Sequence, residues 1–260
     1  MSIAFDRAAG YYDESRGLDP EVSERVADRV EEAAGRQGRL LEVGVGTGRI
    51  ALPLHRRGRR VVGVDLSVPM LERYRAKAAA EGLAPPVMVR ADATRLPFGN
   101  ASFDAVLEVH VLHLVPSWER ALAEARRVLV AGGLLLHAGG GRYERGSGSP
   151  RDQVIGRFDE LAGDATPRQV GATRQQVLDR LEAMGGRVEE LEPVVWEEQE
   201  TYAEALRWLE ERVFSYHWRL PDEVWRATAA RVRAEFEAAH PDLDTPRPAR
   251  HTFRFVATRF

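Results

Sequence analysis

Apolar residues first recur at helical spacing over residues 20–35. Val22, Val26 and Val30 share one face, Pro20 opens the segment and Gly35 ends it. The period then shortens. Leu40, Leu41 and Val43 make a short apolar strand, followed by glycines and a helical stretch that reaches Gly58. The same unit repeats, with a strand over Val61 to Val64 and a helix from about Pro69 to Glu81. Further strands are predicted at Pro85 to Val89, Phe103 to Val109 and Leu134 to Ala138, with a helix over Trp118 to Leu129. Short apolar strands alternating with helices predict an α/β fold with a parallel sheet covered on both faces.

After residue 139 the pattern changes. Residues 139–152 are rich in glycine and serine and read as a loop. Helices are predicted at Gln153 to Leu161 and Arg174 to Met184, and Val188 to Tyr202 reads as a sixth, extended strand. Two helices separated by Leu220–Pro221 fill residues 203–239, and His251 to Phe260 alternates like a half-buried strand. The aromatic run from Tyr202 to Trp225 reads first as helix-to-sheet packing. If any of it faces a substrate, Tyr216, His217 and Trp218 are the candidates.

Composition narrows the chemistry. The chain has 260 residues, 44% of them hydrophobic and 30% charged, as in a globular protein. With 37 basic and 40 acidic side chains the formal charge is −3, which disfavours a general grip on nucleic-acid phosphates. The chain contains no cysteine, so thiolate catalysis, disulfides and cysteine metal sites are excluded. Its only lysine is Lys77, an arginine bias that reads as genome composition. No leader-like start and no apolar run of roughly 18 residues is seen, so a cytoplasmic protein that does not contact membranes is expected.

The sharpest signal is Glu42-Val43-Gly44-Val45-Gly46-Thr47-Gly48 at a strand-to-helix junction. Glycines let the backbone turn tightly, and the helix start beyond offers free N–H donors. Asp65 ends the next strand, where an acid can accept from a ribose diol. The spacing is GxGxG, not the GxGxxG that holds a dinucleotide pyrophosphate. Glu42 would repel a pyrophosphate and attract an ammonium. Asp92 follows the third strand, where it can accept from an adenine amino group, and Ala93 can offer its N–H to the ring.

LLEVGVGTGRIALPL, VVGVDLS, ADATRLPF and FDAVLEVHVLHLV resemble the successive motifs of class I S-adenosylmethionine-dependent methyltransferases, most of all the small-molecule branch that includes ubiquinone and menaquinone methyltransferases. The resemblance covers about residues 38–140. It implies a Rossmann-like three-layer sandwich with a seven-stranded, mostly parallel sheet whose last strand is antiparallel. It implies S-adenosyl-L-methionine as cofactor, with Gly44, Gly46 and Gly48 against its methionine part, Asp65 and Leu66 at the ribose, and Asp92 and Ala93 at adenine. Tyr12, in an opening segment that looks like the family's lid, would cover the cofactor, and Glu42 and Glu108 would lie near its amino group. The expected organisation is a single methyltransferase domain, 1–260. It would comprise lid helices over 1–35, a cofactor half over 38–140, and an acceptor half over 141–260 with extra helices at about 203–239.

Methyl transfer needs alignment above all, and a base only where the acceptor must lose a proton. The end of the fourth strand offers His113 as candidate base and His110 as second choice, although a histidine near a strand end is more often a hydrogen-bonded structural residue. His137 points to the same rim. No metal is expected at these histidines, because their spacing is not a ligand signature on a strand. The expected partner is a small-molecule acceptor, with no nucleic acid, and the chain is expected to be a monomer or homodimer. The rival readings are a non-catalytic S-adenosylmethionine-binding regulator and an NAD-dependent oxidoreductase. The GxGxG spacing and final antiparallel strand speak against the oxidoreductase.

Overall fold

A computed structural model describes residues 4–139, 148–165 and 170–260. Most of the predicted glycine- and serine-rich loop lies outside the described residues. The strands are β1 (Leu40–Val43), β2 (Val61–Asp65), β3 (Val87–Arg90), β4 (Phe103–Val109), β5 (Leu129–Ala138), β6 (Arg187–Glu190), β7 (Val194–Glu200), β8 (Arg247–Phe253) and β9 (Val256–Arg259). The helices are α1 (Tyr12–Arg16), α2 (Pro20–Ala34), α3 (Ala51–Arg56), α4 (Val68–Ala80), α5 (Trp118–Val128), α6 (Pro150–Ala162), α7 (Arg174–Ala183), α8 (Tyr202–Glu210) and α9 (Asp222–Ala239). Among the described residues, no helix is long and apolar enough to cross a membrane.

Two compact units divide the chain. One draws on Met1–Gly140, Val170–Val194 and Phe253–Phe260, the other on Gly141–Gln169 and Val195–Thr252. The first unit carries a seven-stranded sheet in the order β3-β2-β1-β4-β5-β9-β6. β1 to β5 pair in parallel, while β9 runs antiparallel to both β5 and β6, giving the sheet its one reversed strand. The row Leu41, Val106 and Leu135, aligned by register, enters one core with Leu122 and Val128 of α5 and Leu181 of α7. The alternate row, Leu40, Ala105 and Leu134, is also buried, so both sheet faces are covered, as parallel strands require.

The extended segment predicted over Val188 to Tyr202 is two strands. Pro193 stands between β6 and β7, where its missing N–H interrupts the ladder. The final strand is likewise split, into β8 and β9. β7 and β8 form a separate two-stranded ribbon. In the second unit α6, α8 and α9 close on a core of Val154, Phe158, Tyr202, Leu206, Leu209, Val232 and Phe236. Tyr202 is thus a packing residue, but in a helix-to-helix core and not in the helix-to-sheet packing expected from the sequence. His217 is completely buried against Phe158, with ring centroids 4.6 Å apart, and burial pushes its pKa down to about 3.

Candidate functional site

The glycine loop leaves β1 beside the carboxyl end of β2, where Gly44 N and Val45 N donate to the Val64 carbonyl, and Val111, just after β4, stands over Gly44. Gly44, Gly46 and Gly48 all adopt positive φ, at 74°, 54° and 76°, which alanine or larger residues reach only with strain. Gly44 and Gly48 are also demanded by the protein's own packing. A Cβ on Gly44 would stand 2.2 Å from Val111 Cγ2, and one on Gly48 would stand 2.3 Å from the Tyr74 ring. Gly46 is roomier, with Met70 Cε at 3.3 Å from the Cβ position.

Asp65 is tied to this loop. Its Oδ2 accepts from Gly46 N at 2.8 Å and its Oδ1 from Ser67 N at 2.8 Å. Burial raises its pKa from the ordinary aspartate value, and these backbone donors oppose the rise. Ala91 N donates to the Asp65 carbonyl at 3.1 Å, which brings the post-β3 turn alongside. Asp92 folds that turn by accepting from Thr94 N and Oγ1, and Ala93 is buried beside it. Leu66 is half-buried and its carbonyl accepts from Arg90.

The N-terminal segment is latched to the same loop. Thr47 Oγ1 donates to Asp13 Oδ1 at 2.6 Å, Lys77 Nζ reaches that oxygen at 3.0 Å, and Arg49 donates to the Arg16 carbonyl at 3.2 Å. Tyr12, neighbour of Asp13, is half-buried and meets Phe5 edge-on at 6.2 Å. Sequence reasoning missed Asp13, Thr47 and Lys77. The one signal in the sequence is that the chain's single lysine, Lys77, is the residue that joins Asp13 and Thr47.

Buried polar groups mark the floor. Glu42 is 2% exposed and its Oε2 has no hydrogen-bond partner; burial pushes its pKa up to about 8, Arg49 opposing and Asp65 reinforcing. Glu108 is fully buried, and both its oxygens lack partners. Burial alone raises it to about 8. His137 pairs in register with Glu108 and has neither ring nitrogen bonded. Burial, then Arg174 and His113, push it down to about 4. His113, half-buried after β4, is also pushed down to about 4, first by burial and then by Arg16. His110 takes a positive φ of 53° and its ring meets Phe253 edge-on at 5.8 Å. The two histidines thus sit at one strand end in different settings, and burial holds His113 neutral.

A carboxyl group whose pKa is higher folded than unfolded keeps its proton in the folded chain after the unfolded chain has lost it. Stability contributed by Glu108 is present below about pH 4.5 and is lost as pH rises to about 8. Glu108→Gln removes that loss. The variant should gain stability over the native chain between pH 5 and pH 8, by about 1–3 kcal/mol at the upper end. Urea melts across this range test it; an advantage independent of pH would mean that Glu108 does not hold a proton.

Comparison with known proteins gives one family model and many relatives. Residues 41–137 match a methyltransferase domain. The chain is 36% identical over 129 residues to a phosphatidylethanolamine N-methyltransferase of Cereibacter sphaeroides, covering 49% of this chain and 63% of that protein. It is 40% identical over 124 residues to a demethylmenaquinone methyltransferase of Thermus thermophilus, covering 47% and 55%. The chain thus spans less than two thirds of the curated relatives it matches. A crystal structure of a putative methyltransferase from Bacillus halodurans superposes with a TM-score of 0.59 at 20% identity, covering 90% of this chain and 97% of that one, a likeness of fold.

Proposed function

We propose that the chain is a class I S-adenosylmethionine-dependent methyltransferase, which transfers a methyl group from S-adenosyl-L-methionine to a small-molecule acceptor; the match of residues 41–137 to a methyltransferase domain supports this reading. The observation that carries this reading is the set of buried acceptors without partners, Glu42 Oε2 and both Glu108 oxygens, beside a loop whose turn Asp65 pins. Burial leaves both acids protonated at neutral pH when nothing charged faces them; a cationic amino-acid ammonium is the group that would draw them into the carboxylate form, and a pyrophosphate would press them further toward the neutral one. The residues present therefore fit this cofactor. Glu42 and Glu108 would hold its ammonium directly or through water, and Asp65 with Leu66 would meet the ribose. Asp92 and the Ala93 N–H would meet adenine, with Gly44, Gly46 and Gly48 giving close backbone approach. Tyr12, carried on the segment latched by Asp13, would close over it.

The cofactor supplies an electrophilic methyl on sulfur. The protein's part is to align the acceptor behind that methyl and exclude water. His113, with a pKa of about 4, is neutral at pH 7 and free to accept a proton, but it is a weak base. That favours orientation over proton abstraction, with His113 and His110 shaping the acceptor's end of the site. The chain is proposed to work as one methyltransferase domain, in the cytoplasm, as a monomer or homodimer.

Calorimetry with S-adenosylhomocysteine and with NAD tests the reading. The first is expected to bind at micromolar affinity or tighter, about −8 kcal/mol, and NAD not to bind. Tight NAD binding would replace this proposal by the oxidoreductase reading. Binding of the homocysteine ligand without turnover of any acceptor in a labelled-methyl screen would favour a regulator.

A further inference from the structure

The β7–β8 ribbon carries a cluster that the proposed reaction does not use. Strand alternation puts Trp196, Glu198 and Glu200 on one face of β7. His251 of β8 rises on the same face. Its Nε2 lies 2.8 Å from Glu198 Oε1 and 3.4 Å from Glu200 Oε1, and its ring stacks on Trp196 with centroids 5.3 Å apart. One donor atom from each of the three residues falls within 4.8 Å of the others.

This is not an exposed acidic patch. His251 is 1% exposed and Glu200 2%. Glu200 is held by Arg151 on both oxygens: its Oε2 accepts from Arg151 N at 3.1 Å, and its Oε1, the oxygen nearest His251, lies 3.3 Å from Arg151 Nη2. Arg151 is itself fixed over the face of Trp208, 4.0 Å from the centroid. A carboxylate held by neighbouring donors is how metal-ligating acids are supported. Glu198 alone keeps solvent access, with 36% of its side chain exposed, which provides an entry path.

We propose that Glu198, Glu200 and His251 bind a divalent transition-metal ion of the zinc class. The donor set mixes one imidazole with two carboxylates, which suits zinc or cobalt better than magnesium or calcium. Ligands at the usual zinc distance around a tetrahedral ion stand about 3.4 Å apart, which matches the 3.4 Å from His251 Nε2 to Glu200 Oε1, while the more exposed Glu198, now at 2.8 Å, would move outward by a rotation of its side chain. The carboxylates contribute two negative charges, of which Arg151 balances one, so a dication is electrostatically welcome. Three protein ligands leave the fourth position to water or another small ligand. The competing occupant of the same cluster is a proton, which would make His251 an imidazolium held by both acids.

The experiment uses the full chain stripped with a chelator, titrated with Zn²⁺ by calorimetry and with Co²⁺ by visible absorption. One ion per chain and a tetrahedral cobalt spectrum are expected. Glu198→Gln, at the half-exposed ligand, should fold normally and lose at least about tenfold in affinity. Glu197→Gln, at an exposed position on the opposite face of β7, should bind as the native chain does. Absence of stoichiometric binding, or equal binding by Glu198→Gln, would overturn the site and leave the cluster as an ion pair. Neither outcome bears on cofactor binding, which is measured separately.

Discussion

Gly48→Ala is expected to destabilise the chain by about 2–5 kcal/mol, through two separable causes. The backbone at Gly48 has φ 76°, which costs an L-residue about 1–2 kcal/mol. The added methyl would also stand 2.3 Å from Tyr74 Cδ2, 2.5 Å from Cε2 and 2.7 Å from Cγ. That ring is 2% exposed in α4 and has no open space to swing into. Overpacking of this kind costs about 1–3 kcal/mol more. Gly58→Ala is the control. Its φ is 75°, but nothing lies within 4 Å of its Cβ position, so only the backbone cost should appear. Thermal melts of both variants read the difference. Equal losses would show that Tyr74 yields and that the clash is illusory. A loop displaced by Gly48→Ala should also weaken S-adenosylhomocysteine, whereas Gly58→Ala should leave it unchanged.

The same glycines show what could be read in the sequence. A strand, glycines and a helix start can be recognised from local pattern, because backbone conformation is set by neighbours along the chain. The need for a bare Cα at Gly48 depends on Tyr74, and at Gly44 on Val111, and those partners are fixed only by the packing of α4 and of the segment after β4. The sheet was legible for a similar reason. β1, β2, β4 and β5 are apolar runs buried on both faces. The split of residues 188–202 was not, since one proline sends β6 and β7 to different sheets. At the site, residue types predicted the acids, but not that Glu42 and Glu108 would lie buried with oxygens unsatisfied. Asp13, Thr47 and Lys77 meet across long sequence separations, and no local periodicity announces such a latch. The triad of Glu198, Glu200 and His251 was hidden in the same way, because it forms only when β8 pairs with β7.

Asp65→Ala should weaken S-adenosylhomocysteine by at least about 100-fold, near 2.7 kcal/mol. Part of that loss is architectural. The carboxylate accepts from both Gly46 N and Ser67 N, so alanine leaves two backbone donors without their charged partner at the turn that must receive the ligand. Asp65→Asn separates the causes. Its amide oxygen still accepts from one of those donors, and it removes the charge whose burial raises the native pKa. The asparagine chain should therefore stay close to native stability while losing the charge-assisted contact with the ribose. A ligand analogue without the ribose hydroxyls completes a cycle between residue and ligand. Against the native chain the analogue should bind about tenfold or more weakly, and against Asp65→Asn nearly as well as the parent ligand. The same loss in both backgrounds would mean that Asp65 acts only on the glycine loop. The ribose would then have to be assigned to another group at the carboxyl edge of the sheet.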